Sequence, residues 1–162
     1  MALASLSRFA LGLLLVTAAA LAPVACGEDA PAAPQELITA TVLIEAGPAS
    51  TEWFELTVDK GVDGYELLNA ATSGNIESEW YPAFRSHFVQ SIQGVTPEGA
   101  EFWGVFLWSE TANDGAGAWE PLPIGADLFS VKDGHIMGWA LVEYNPDVPQ
   151  FPHSQPEGWR RR

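Results

Sequence analysis

Two alternating apolar runs, a single capped helix and a return to strand-like segments predict a small α+β domain over Leu37–Tyr144. Two strands, one helix and then three or four strands is the order of a β-grasp-like domain, a mixed or antiparallel sheet carrying one short helix. The stretch holds six of the seven tryptophans and nearly all of the periodic hydrophobic pattern.

Leu37 to Ala46 sets Ile38, Ala40, Val42 and Ile44 on one face and Thr39, Thr41 and Glu45 on the other. That period of two is a strand with one buried face. After Gly47 and Pro48, Phe54, Leu56 and Val58 alternate with Glu55, Thr57 and Asp59, so the two runs are expected to pair as a hairpin. Trp53 falls on the polar phase of the second run. Exposed, it marks a binding face; buried, it means that the strand is covered on both sides. Asp63 followed by Glu66 is a capping box, each side chain accepting from a free backbone N–H at the start of a helix. Leu67, Leu68 and Ala71 would face the sheet, and Ser73-Gly74-Asn75 stops the helix. His87 to Ile92 is a short strand ending at Gln93-Gly94. Glu101 to Ser109 has Phe102, Phe106 and Trp108 on one face and Trp103, Val105 and Leu107 on the other. Apolar residues on both faces predict a central, covered strand. Thr111 to Ala118 reads as a loop. Leu128–Val131 and His135–Tyr144 are the expected last strands, joined at Lys132-Asp133-Gly134, where Asp-Gly is a hairpin signal.

The flanks differ from this core. Arg8, an apolar run from Phe9 to Ala22 and the small residues before Cys26 are the pattern of a secretory signal peptide over residues 1–25. The run is shorter than the roughly 20 residues that a membrane-spanning helix needs. Cys26, the only cysteine, stands where a bacterial lipoprotein receives its lipid, and an unpaired cysteine in an exported chain calls for such a use. Export to the cell envelope with a lipid anchor at Cys26 is the expectation, and Gly27 after the cysteine leans towards the outer membrane of a Gram-negative host. Residues 26–36 then form a lipidated cysteine and a disordered linker, and the proline-rich residues 145–162 a loose tail, on which Phe151 and Trp159 are the residues able to dock. Removing 25 of 162 residues leaves 137, with six basic residues set against 21 acidic ones, a net charge of −15. Such a surface repels nucleic acid and anionic lipid. The Arg160–Arg162 cluster is a frayed end.

Four stretches carry a resemblance: V-D-G-Y-E-L-L-N-A-A (62–71), H-F-V-Q-S-I-Q-G-V (87–95), E-F-W-G-V-F-L-W (101–108) and P-L-P-I-G-A-D-L-F-S-V-K-D-G-H-I-M-G-W (121–139). Their order and spacing resemble the C-terminal β-rich domain of the cobalamin carriers transcobalamin and intrinsic factor, and the bacterial family DUF4430 built on that module. Gln93 stands where the family usually has Asn, and the connection from Ala71 to Phe88, with Trp80-Tyr81-Pro82, is unusually long. The resemblance implies a corrinoid such as cobalamin as the small ligand. Its contact region falls on Ile92, Gln93, Gly94 and Val95, with Trp103, Trp108 and Phe129 as the nearby apolar wall. The helical domain that supplies most of the carriers' grip is not among these stretches, so binding to the β-domain alone would be weak.

Catalytic chemistry finds little support. His87, His135 and His153 are far apart in sequence, and no H-x-x-H, C-x-x-C or G-x-S-x-G spacing occurs. Glu98 and Glu101 are one of the chance carboxylate pairs that an acidic chain must contain. Glu110, Asn113 and Asp114 offer oxygen ligands but not at EF-hand spacing, so no metal is expected. The sequence therefore predicts a non-enzymatic binding domain, for a corrinoid or else for a protein or glycan through exposed tryptophans such as Trp53, Trp80 and Trp119.

Overall fold

The computed structural model describes residues 35–156. The expected signal peptide, Cys26, most of the linker, Trp159 and the terminal arginines lie outside them. The chain forms β1 (Leu37–Glu45), β2 (Thr51–Asp59), α1 (Gly64–Ala71), β3 (Ile76–Tyr81), β4 (Ser86–Ile92), β5 (Glu101–Ser109), β6 (Ala118–Pro121) and β7 (Ile136–Glu143). Five strands make one sheet in the order β2-β1-β7-β5-β6, and β3 and β4 pair separately as a hairpin. The first and last strands, β1 and β7, run parallel at the centre, and the other pairs are antiparallel. This is the mixed sheet with one helix that the sequence predicts.

One face of the sheet is the main core. Ile38, Ala40, Val42 and Ile44 of β1 meet Leu67, Leu68 and Ala71 of α1, as the two periodicities require. The helix begins at Asp63, whose carboxylate accepts from Glu66 N–H at 2.8 Å while Glu66 accepts from Asp63 N–H at 3.0 Å. It ends where Ser73 and Gly74 take positive φ, of 52° and 80°, a left-handed stop that glycine tolerates without cost. β5 lies between β7 and β6 with apolar residues on both faces, as expected.

The other face is where sequence and structure part. Leu43, Phe106, Trp108, Trp119, Ala140 and Val142 form a second buried cluster there. The tail covers it instead of hanging loose. Pro152 is buried, Phe151 packs against Phe106 at 6.0 Å, and Gln150 Oε1 accepts from Glu143 N–H at 2.9 Å. Glu45, read from the pattern as solvent-facing, is only 2% exposed. It is the tail's anchor: Oε1 accepts from His153 N–H at 2.8 Å and lies 3.0 Å from His153 Nδ1, and Oε2 accepts from Ser154 N–H at 2.9 Å. Burial pushes the Glu45 carboxyl up, but these hydrogen bonds outweigh it and hold the group below the usual carboxylate range.

Three local expectations need correction. The connection from Ala71 to Phe88 contains a strand, β3, whose Glu- and Ser-rich start hides it from a hydrophobic period. Ala118–Pro121 adds a short edge strand to the expected loop. Leu128–Val131 is not a strand: Ala126–Leu128 is a 3-10 turn, and only Ser130 makes a bridge, to Asp63. The Lys132-Asp133-Gly134 turn therefore closes no hairpin. It delivers the chain parallel to β1, with Asp133 accepting from Thr39 N–H and Gly134 N–H donating to Thr39 carbonyl, both at 2.8 Å.

Candidate functional site

The residues singled out in the sequence gather only in part. β4 ends at buried Ile92, and Gln93 and Gly94 follow with φ of 51° and 81°. Reciprocal Ile92–Val95 backbone bonds of 3.1 and 2.9 Å close a two-residue turn of the kind in which both central residues have positive φ. Trp103, 11 residues from Ile92 in sequence, pins the turn by donating its indole N–H to Val95 carbonyl at 3.3 Å. Gln93 leans the other way, donating to Glu52 at 3.1 Å. Thus Ile92, Gln93, Gly94, Val95 and Trp103 form one corner. Trp108 is in the second cluster, on the opposite face of the sheet from Trp103. Phe129 packs on the main core and stacks on His135, with ring centroids 5.3 Å apart.

The exposed tryptophans divide similarly. Trp119 is buried, donating its indole N–H to Ser154 carbonyl at 2.7 Å. Trp53 stacks beside it at 6.4 Å and keeps 36% of its surface, so β2 is half-covered on its second face. Trp80 remains open.

Trp80 meets His87 at the edge of a candidate site whose lining residues sequence reasoning missed. The hairpin β3–β4 and the segment Leu122–Ala126 bound two adjoining cavities. The outer one, about 420 Å³, is lined by Tyr81, Phe84, Ser86, His87, Phe88 and Gly125. The inner one, about 180 Å³, shares Ser86, His87, Phe88 and Gly125 and reaches Trp103 and Trp139. Neither is lined by Gln93, Gly94 or Val95. Phe84, at the hairpin tip, is 72% exposed, and Tyr81, Phe88 and Ile124 are exposed around it. Leaving so many large apolar side chains in water is unusual for a folded surface and makes this cleft the candidate interaction site.

A polar knot sits at the shared wall. Asp127 Oδ2 accepts from Ser86 O–H and from His87 N–H, each at 2.8 Å, and Oδ1 lies 2.5 Å from His87 Nδ1. Burial alone would raise the Asp127 carboxyl, but the donors from His87 and Ser86 outweigh it and leave the group depressed and ionised. The imidazole stacks on Tyr65 at 4.1 Å and 10°, and Trp80 meets it edge-on at 5.0 Å. Tyr65 is itself fixed by a 2.7 Å bond to Ser78. Gly125 allows this packing: a Cβ there would collide with the Ser86 side chain.

Serine, histidine and aspartate are therefore adjacent, but not wired for nucleophilic attack. Ser86 O–H is bound to the carboxylate rather than to the imidazole, and a depressed carboxylate is a weak base. The other candidates for acid–base work are spent locally. Glu101 caps Glu98 N–H at 3.1 Å, and His135 Nδ1 accepts from Lys132 N–H at 3.1 Å. Burial, then the Lys132 charge, pushes the His135 imidazole down. Asn113 and Asp114 lie in an exposed 3-10 turn, and no group of three metal-ligating side chains occurs among the described residues. The one legible signal for the missed site was the density of rings in W-Y-P-A-F-R-S-H-F (80–88).

No protein-family model and no curated protein matches the chain. Solved structures do. Haptocorrin in complex with Cbi matches with a TM-score of 0.55 at 18% identity, over 70% of this chain and 27% of haptocorrin. A protein from Ruminococcus gnavus ATCC 29149, described as "a putative metal binding protein", matches with a TM-score of 0.53 at 19% identity, over 67% of this chain and 99% of that one. The chain thus spans about a quarter of haptocorrin's length. At such identities the likeness establishes a shared fold and nothing beyond it.

Proposed function

We propose that the chain is an exported, non-enzymatic binding domain, tethered to the cell envelope through Cys26, whose aromatic cleft takes a flat ligand by an apolar face, a corrinoid such as cobalamin first. The carrying observation is the open cleft between β3–β4 and Leu122–Ala126, with Tyr81, Phe84 and Phe88 presented to solvent above a packed floor. Its outer volume is too small to enclose a corrin, which would lie with one face against the rings. That suits a module that covers a ligand rather than engulfs it. The likeness to haptocorrin, itself seen with Cbi, supports this ligand class over others. The unactivated Ser86 and depressed Asp127 support binding rather than catalysis.

This reading moves the ligand face from the Gln93-Gly94 corner to the hairpin. The corner is a tight turn pinned by Trp103, whereas the hairpin offers a concave apolar surface. Calorimetric titration of the full chain with cobinamide and cobalamin tests it. Saturable heat that weakens at least tenfold in Phe84→Ser, but not in Gln93→Ala, is the expected result. A second reading, a protein- or glycan-binding module, draws on the same exposed Trp80, Tyr81 and Phe84. The absence of heat at millimolar corrinoid would reject the first reading in favour of the second.

A further inference from the structure

Asp-Gly occurs three times in the chain, at 63–64, 114–115 and 133–134. In each pair the backbone nitrogen of the glycine can attack the aspartate side-chain carboxyl carbon, because glycine has no side chain to obstruct the approach. The reaction needs a carboxyl group that is not held elsewhere and a backbone free to bring the nitrogen to it. The three sites differ in both respects.

Asp63 caps α1, accepting from Glu66 N–H at 2.8 Å, and Gly64 N–H donates to Phe129 carbonyl at 3.1 Å. Gly64 is buried, and Met137 and Ala126 crowd the place that a Cβ would take. Burial pushes the Asp63 carboxyl up, which favours its electrophilic neutral form, but the helix start and Phe129 hold both reacting groups. Asp133 is exposed, yet its carboxylate accepts from Thr39 N–H and Gly134 N–H donates to Thr39 carbonyl, both at 2.8 Å. Freeing either group means parting the chain from β1.

Asp114 has neither restraint. Asn113, Asp114, Gly115 and Ala116 are all exposed, and among the described residues no hydrogen bond or ion pair holds the Asp114 carboxylate. Gly115 N–H makes only a local bond, to Ala112 carbonyl at 3.2 Å, and the space around Gly115 is open. Asn113 and Asp114 also take φ of 52° and 55°. Asn and Asp tolerate this left-handed region better than other side chains, but not without cost. Motion away from the turn geometry relieves that cost, whereas the other two sites must first give up tertiary hydrogen bonds.

We propose that Asp114 is the residue at which the folded chain modifies itself, by isomerising to isoaspartate. Gly115 N attacks Asp114 Cγ and a C–N bond forms. The N–H proton and the carboxyl hydroxyl leave as water, which gives a cyclic succinimide. A water molecule then adds to one of the two ring carbonyls and breaks its C–N bond. Opening at the main-chain carbonyl leaves the chain running through the former side chain; opening at the other restores aspartate. No electron is transferred and no co-reactant but water is used. The product has the same mass, with an extra methylene in the main chain between β5 and β6.

The test is prolonged incubation of the full chain at 37 °C and mildly acidic pH. Peptide mapping with electron-transfer fragmentation separates normal from β-linked aspartate. A parallel sample in urea is kept until all three Asp-Gly pairs give measurable isoaspartate, and that time sets the folded sample's incubation. Circular dichroism confirms that the folded sample stays folded. There Asp114 should convert at close to its unfolded rate, and Asp63 and Asp133 at least about tenfold more slowly. Asp114→Glu should remove the product, because the longer side chain would have to close a larger ring. Conversion of Asp63 or Asp133 as fast as that of Asp114, or protection of Asp114 as strong as theirs, overturns the assignment. Loss of ammonia from Asn113 with no change at Asp114 overturns it as well, since the reactive carbonyl would then lie one residue earlier.

Discussion

The two aromatic regions of this domain start from similar material and end in opposite states. Beneath the tail, Phe106, Trp108 and Trp119 are sealed; on the β3–β4 hairpin, Trp80, Tyr81, Phe84 and Phe88 stay in water. The difference is a polar anchor. Glu45 accepts three hydrogen bonds from the tail, and Ser154 carbonyl takes the Trp119 indole N–H, so the tail can lie over apolar surface without stranding its own backbone. The hairpin has an anchor too, Asp127, but it faces inward and fixes β4 to the 3-10 turn at Ala126–Leu128 instead of drawing a cover over the rings. Apolar content does not distinguish a sealed core from an exposed aromatic face; the placement of a buried acceptor does.

Ending the chain at Tyr144 breaks the comparison most severely. It strips the Glu45 carboxylate of its three donors and bares Phe106 and Trp119 to water. A loss of about 3–5 kcal/mol is expected in urea unfolding, from the exposed apolar surface and the lost hydrogen bonds to a charged group, enough to threaten folding at 37 °C. Glu45→Gln keeps the shape and one acceptor but gives up the charge. About 1.5–3 kcal/mol should go, because hydrogen bonds to charged groups are worth roughly that much. Gly125→Ala attacks the other region. The clash with Ser86 should cost about 1–3 kcal/mol and loosen the hairpin, while the tail's indole partner, Trp119, stays shielded from quenchers.

Acid should strike both anchors. Glu45 and Asp127 are depressed in the folded state, so their contributions are complete above the ordinary carboxylate range and are lost as pH falls through the folded values. Stability measured from pH 6 down to pH 2 should therefore fall with decreasing pH, and less steeply in Glu45→Gln. An unchanged slope in that variant would mean that the tail anchor does not carry the acid response. The smallest effect belongs to Phe84→Ser. Removing an exposed ring should leave stability within about 0.5 kcal/mol, so any binding it abolishes is a property of the surface and not of the fold.

Much of the scaffold could be read from local pattern because local forces set it. The β1–β2 hairpin, the Asp63–Glu66 capping box, the inward face of α1 and the doubly apolar β5 each follow from neighbours a few residues apart. β3 escaped because its Glu- and Ser-rich residues pair with β4 through backbone bonds that leave little trace in side-chain period. Leu128–Val131 misled because Asp-Gly specifies a tight turn but not the strand that receives it; here that strand is β1, some 90 residues earlier in the chain. The resemblance grouped Ile92, Gln93, Gly94, Val95 and Trp103, which do meet at one corner, with Trp108 and Phe129, which lie elsewhere; alternation assigns a residue to a face without saying what packs there.

By itself, then, the sequence determined the elements, their caps and the apolar face of each strand, all consequences of contacts between near neighbours. Only the tertiary structure decided that Glu45 is buried, that the tail is part of the core and that His87 meets Asp127. Those outcomes depend on pairs separated by 108 and 40 residues. Their pairing is fixed by which buried polar groups find partners once the sheet has formed, a condition that no local pattern encodes.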